Sequence, residues 1–139
     1  MSDELRPGLR IIADTLPMLE SPDFTPGVWH DSAQRPDGVI VMPWFEYSPE
    51  ADEFRAAVGR SGLLQIDFAW PDWAGTPEAI ALRTDRDVLA AATPDQLGKL
   101  LTMLIREDRF SEGALAESFE SGLIEAIARR ASSLADSRG

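Results

Sequence analysis

The sequence predicts a mainly α fold with a minor β element: a small single-domain helical bundle, residues 1–139, with a short two-stranded sheet. Three observations predict it. Apolar residues recur at spacings of three and four through much of the chain, the mark of helices with one buried stripe. Three hydroxyl–proline pairs, Ser48-Pro49, Thr76-Pro77 and Thr93-Pro94, stand where helices should begin. Short β-branched or aliphatic runs suited to strands are confined to residues 39–42 and 63–66, too little for more than a small sheet.

Each element follows in order. Leu5, Leu9, Ile12, Leu16 and Leu19 share one helical face. Pro17 has no N–H, so that helix should kink or end near Asp14 or Thr15. Residues 21–38 hold Pro22, Pro26, Gly27, Pro36 and Gly38 and read as a long loop. Residues 39–42 read as a strand stopped by Pro43, and residues 63–66 as its partner. At Ser48-Pro49 the hydroxyl accepts an orphan backbone N–H, and proline at the first helical position has none to lose. That helix should run to about Val58 and end at Gly59 or Gly62. Thr76-Pro77 opens a short helix through about Leu82, and residues 85–91 add a turn or two. Thr93-Pro94 opens the clearest helix, with Leu97, Leu100, Leu101, Leu104 and Ile105 on one stripe. Asp95 and Lys99 stand four apart along it. Ser111 is expected to cap a short helix carrying Leu115 and Phe119, interrupted at Gly122. A last helix should turn Leu123, Ile124, Ile127, Ala131 and Leu134 inward, with Glu125 and Arg129 four apart. Residues 136–139 should fray.

Composition excludes several classes. The chain has no cysteine, which removes disulfide scaffolds, zinc fingers, iron–sulfur clusters and cysteine nucleophiles. One histidine removes a multi-histidine metal site. No cofactor and no metal are therefore expected. Basic residues number 13 against 24 acidic, for a net charge of -11. Residues 1–80 hold 14 of those acids and only 5 of the basic residues. A phosphate-backbone binder needs the opposite sign, so no direct nucleic-acid binding is expected. An acidic face suits a basic protein partner. Met1-Ser2-Asp3-Glu4-Leu5 lacks the basic start and apolar core of a signal peptide. The longest strongly apolar stretch, 39–45, is too short to cross a bilayer. The expectation is a soluble cytoplasmic protein that does not engage membranes.

Longer motifs carry a resemblance. Leu101-Thr102-Met103-Leu104-Ile105-Arg106-Glu107-Asp108-Arg109-Phe110 runs into Ser111-Glu112-Gly113, then Phe119-Glu120-Ser121-Gly122-Leu123-Ile124 and Ala128-Arg129-Arg130. Upstream, Tyr47-Ser48-Pro49-Glu50 leads to Phe54, and Asp67-Phe68-Ala69-Trp70 leads to Trp73. Over about residues 40–135 the chain resembles domain-of-unknown-function family 6508, found in bacteria and their phages. The resemblance implies a common fold and assigns no activity.

Two constellations could carry function. Arg106 and Arg109 lie one helical turn apart beside a glycine-containing turn. Such a pair suits a phosphate or carboxylate. Equally, Arg109 could form a structural ion pair with Glu112, Glu117 or Glu120. Trp44, Phe45, Tyr47, Phe68, Trp70 and Trp73 lie around the two expected strands, with Glu46, Asp67 and Asp72 interleaved. They could build an acid-rimmed aromatic pocket, a protein-binding surface, or simply core. His30-Asp31 beside Ser32 lacks any Gly-x-Ser-x-Gly elbow. Glu50 with Glu53, and Asp85 with Asp87, are not distinguished from the other acids. No glycine-rich phosphate loop is present. The expected function is a non-enzymatic acidic interaction module docking on a basic surface, with no catalytic residue assigned. The alternative is a small ligand-binding domain or enzyme using Arg106 and Arg109 beside Trp44, Trp70 and Trp73. The oligomeric state is left open.

Overall fold

A computed structural model describes residues 5–30, 43–111 and 113–136. Their order is α1 (Arg6–Ala13), α2 (Leu16–Leu19), β1 (Gly27–His30), β2 (Trp44–Tyr47), α3 (Pro49–Ser61), α4 (Trp70–Ala74), α5 (Pro77–Thr84), α6 (Arg86–Ala90), α7 (Pro94–Glu107), α8 (Ala114–Glu120) and α9 (Leu123–Asp136). The protein is mainly α with one small antiparallel sheet. None of its described helices is long and apolar enough to cross a membrane.

The helix starts are chemical. Ser48 Oγ accepts the Ala51 N–H at 3.0 Å, and Thr76 Oγ1 accepts that of Ala79 at 3.2 Å. Thr93 Oγ1 takes the Gln96 N–H at 3.1 Å while Gln96 Oε1 takes the Thr93 N–H at 2.9 Å. This reciprocal box satisfies two orphan donors at the head of α7. Asp85 accepts from Asp87 and Val88 and so starts α6. The break between α1 and α2 falls at Asp14 and Thr15, with Pro17 in the first turn of α2. Gly62, at φ 74°, ends α3.

The core is assembled from the stripes. Leu97, Leu100, Leu101 and Leu104 of α7 and Leu123, Ile124, Ile127, Ala131 and Leu134 of α9 are buried in one cluster. Leu9 and Ile12 of α1, Phe54 and Val58 of α3, Leu82, Leu89, Leu115 and Phe119 complete it. Each such side chain contributes about 1.5–3 kcal/mol by leaving water. α1 packs on both α3 and α9, so the N-terminal helix closes the bundle.

The sheet departs from expectation. Residues 39–42 lie outside the described residues. Residues 63–66 form no strand. There the backbone runs across Gly98 of α7, where a Cβ would meet the Leu63 carbonyl oxygen at 2.5 Å. The Gln65 N–H is taken by Thr102 Oγ1 at 2.9 Å, and its side-chain amide by Asp95 at 2.9 Å. The donor a sheet partner would have used is satisfied by a helix. The strands are instead β1, inside the stretch expected as loop, and β2. They pair Gly27 with Tyr47, Val28 with Glu46, Trp29 with Phe45 and His30 with Trp44. Residues 31–38 of that stretch are outside the described residues, as are 137–139 of the expected frayed tail. Asp136 is the last residue of α9 and pairs with Arg10.

Candidate functional site

The end of α7 organises the surface that carries Arg106, Arg109 and Trp70 of the expected site residues. Arg106 donates from Nη2 to the Ile66 carbonyl at 2.9 Å and from Nη1 to that of Phe68 at 3.5 Å. It pins the 66–68 turn to the helix. Arg109, one turn on, is exposed. Among the described residues it pairs with neither Glu117 nor Glu120, and Glu112 lies outside them; the expected structural ion pair is corrected to that extent. Another acid ties the next helix down. Asp108 Oδ1 accepts the Leu115 N–H at 3.1 Å and the Tyr47 hydroxyl. Ser111 therefore does not cap α8: Gly113, at φ 80°, holds the cap position, with no side-chain bond of its own. A Cβ there would meet the Trp29 indole at 2.5 Å, so the hairpin lies directly on this turn. Burial first, then Asp108, pushes the Tyr47 phenol well above its ordinary range.

The aromatic cluster divides in two. Phe45 is buried, and Trp29 meets it edge-on at 5.4 Å. Trp44 alternates to the other face of the hairpin, exposed and stacked on His30 at 4.2 Å. The His30 ring turns to Glu46, 2.9 Å from Nε2, while Asp31 and Ser32 lie outside the described residues. Phe68 packs against Trp73 at 5.6 Å. Trp73 is core, its indole N–H donating to Glu78 at 2.8 Å. No ring contact among the described residues joins Trp44 to Trp70 or Trp73. The expected pocket combining all three with Arg106 and Arg109 is therefore not formed, because Trp73 is spent inward and Trp44 sits on a separate ribbon. Glu53 pairs with Arg60 at 3.3 Å and Asp85 is a cap. Among the described residues no group of acids and histidine gathers as for a metal ion.

What the α7 end does present is apolar. Ile66 and Phe110 are each 81% exposed. Trp70 is half-buried with its ring 6.2 Å from that of Phe110. A cleft of about 160 Å³ beside Ile66 is lined by Leu64, Ile66, Thr102, Ile105, Arg106 and Arg109. Asp67 and Asp72 are exposed. Ile66 and Phe110 were missed as site residues in the sequence, where Ile66 read as the end of a strand and Phe110 as part of the motif that carries the family resemblance.

A model described as a family of unknown function (DUF6508) matches residues 5–137 of the chain. No curated protein and no solved structure matches it.

Proposed function

The chain belongs to domain-of-unknown-function family 6508, and from its surface we propose that it is a non-enzymatic protein-binding module that docks on a basic partner. The docking surface centres on Ile66, Trp70 and Phe110 at the end of α7. The observation that carries this reading is the exposure of Ile66 and Phe110, 81% each, on turns that are held in place. Each apolar side chain kept in water forgoes about 1.5–3 kcal/mol of burial. Anchors of this kind, aromatic or aliphatic with arginines beside them, dominate binding at protein interfaces. Arg106 supports the reading by fixing the 66–68 turn to α7, which lowers the ordering cost on docking. The net charge of -11 supports a basic partner, since a basic surface is steered inward and an acidic one repelled. The reading places the protein in the cytoplasm, in keeping with a chain free of cysteine, and makes it a bacterial or phage accessory protein.

The test compares proteins retained from host extract by the wild-type chain and by Phe110→Glu and Ile66→Glu. A basic protein held by wild type, released by rising salt and lost from both variants at unchanged unfolding midpoints is expected. Equal retention by all three chains would sink the reading.

A further inference from the structure

The cleft between α6 and α9 shares no residue with the docking surface and is larger, about 540 Å³, within the range of small-molecule sites. α9 contributes the face running from Glu125 to Ser133, α6 contributes Arg86, Leu89 and Ala90, and Gly122 lines the cleft from the turn before α9. At the helical rise that face is about 12 Å long. Three guanidiniums, of Arg86, Arg129 and Arg130, meet there with one carboxylate, Glu125. This reverses the balance of a chain with 24 acidic and 13 basic residues.

The partners of the three arginines decide which charges are available. Arg129 is neutralised by Glu20 at 2.7 Å and Glu125 at 3.2 Å. Among the described residues Arg86 donates to carbonyls, of Arg83 at 3.0 Å and Ser121 at 3.2 Å. Arg130 donates from Nε to the Ala92 carbonyl at 2.7 Å. A carbonyl orients a guanidinium without cancelling its formal charge. Arg130 keeps both Nη groups for a ligand, in the fork geometry that matches carboxylate and phosphate. Leu89, Ala90 and Ala126 supply an apolar wall alongside.

We propose that this cleft binds a small amphiphilic oxyanion, a carboxylate or phosphate ester carrying a short apolar group. The oxyanion lies on Arg86 and Arg130, and the apolar part lies on Leu89, Ala90 and Ala126. This site is additional to the docking surface, so its failure leaves the docking reading untouched. The competing account is that Arg86 serves only to cap the carbonyl ends of α5 and α8, and Arg130 the turn after α6, where cations favour the helix dipole.

The test titrates the isotope-labelled full chain with phenyl phosphate, with hexanoate and with neutral hexanol, following backbone and arginine resonances by NMR. Saturable shifts along α9 and α6 with one or both anions, and weaker binding of hexanol, are expected. Which anion binds tighter distinguishes a phosphate ester from a carboxylate ligand. Ser133→Trp fills the end of the cleft from an exposed position and touches neither cap. It should weaken anion binding about tenfold or more at an unchanged unfolding midpoint. Arg130→Lys keeps the charge but loses the fork and should weaken it about tenfold. Three results would overturn the site: no saturable shift with either anion, hexanol binding as tightly as hexanoate, or Ser133→Trp binding like wild type. If Arg130→Lys lowers stability while Ser133→Trp leaves binding unchanged, the capping account stands instead.

Discussion

Asp108 joins three segments through one carboxylate oxygen: its own turn, α8 through the Leu115 N–H, and the hairpin through the Tyr47 hydroxyl. Asp108→Ala removes both bonds and should cost about 2 kcal/mol in denaturant unfolding; an unchanged midpoint would show that the turn holds itself. The Tyr47 phenol is raised above its ordinary 10.0, by burial first and then by Asp108, partly offset by Arg55. The Arg55 guanidinium lies 4.9 Å from the ring centroid. A raised phenol means that the native state binds this proton more tightly than the unfolded chain. Its contribution is full below pH 10 and is lost as pH rises from 10 toward the folded value. Tyr47 is the only tyrosine, so near-ultraviolet phenolate absorbance reports a single group. Phenolate should appear only as helical circular dichroism is lost, and a phenolate titrating near its ordinary value with the helices intact would show a solvated ring. Local pairs such as Asp95–Lys99 and Glu125–Arg129 were legible because helical spacing places them together. Tyr47 and Asp108, 61 positions apart, were not, since only the docked hairpin brings them into contact.

At the scale of elements, helix starts were the most legible feature, because a cap and a following proline act within four residues. Thr93→Ala should remove the box at the head of α7 and cost about 0.5–2 kcal/mol. Leu101→Ala, at a site 1% exposed in the same helix, should cost about 2–5 kcal/mol through lost transfer and a residual cavity. Denaturant melts that rank Thr93→Ala above Leu101→Ala would mean that the end of α7, not its stripe, limits folding. The strands were illegible for the opposite reason. β1 and β2 have four residues each, too few to establish a two-residue period, and β1 lies in a segment whose prolines and glycine read as turn. Residues 63–66 have a strand's composition, but Gly98 and Thr102 offer that backbone a helix surface instead. The role of Arg106 was hidden similarly. Its partners are main-chain carbonyls, which every residue has, so no side-chain pattern marks them.

For the whole molecule, fold class and charge were both readable from composition and periodicity, whereas the distribution of arginines over the surface was not. That distribution is the basis of a prediction about polyanions. Arg10 pairs with Asp136, Arg55 with Asp52, Arg60 with Glu53, Arg83 with Glu107 and Arg129 with Glu20. Each of these cations would have to leave a carboxylate to reach a phosphate. Two carbonyl-held arginines in one cleft suffice for a single oxyanion, but a duplex presents a charge every ~1.7 Å and is held by a row of cations. The field of a net -11 chain opposes the encounter as well, most strongly at low salt, where screening is weakest. Neither duplex nor single-stranded nucleic acid should therefore bind at low or physiological salt in a fluorescence anisotropy titration. A basic protein partner should show the reverse dependence, associating fastest at low salt and losing affinity as salt rises. Tight binding to either nucleic acid that weakens with salt would mean that the paired arginines exchange their carboxylates for phosphates, and the sign assigned to the partner would then be wrong.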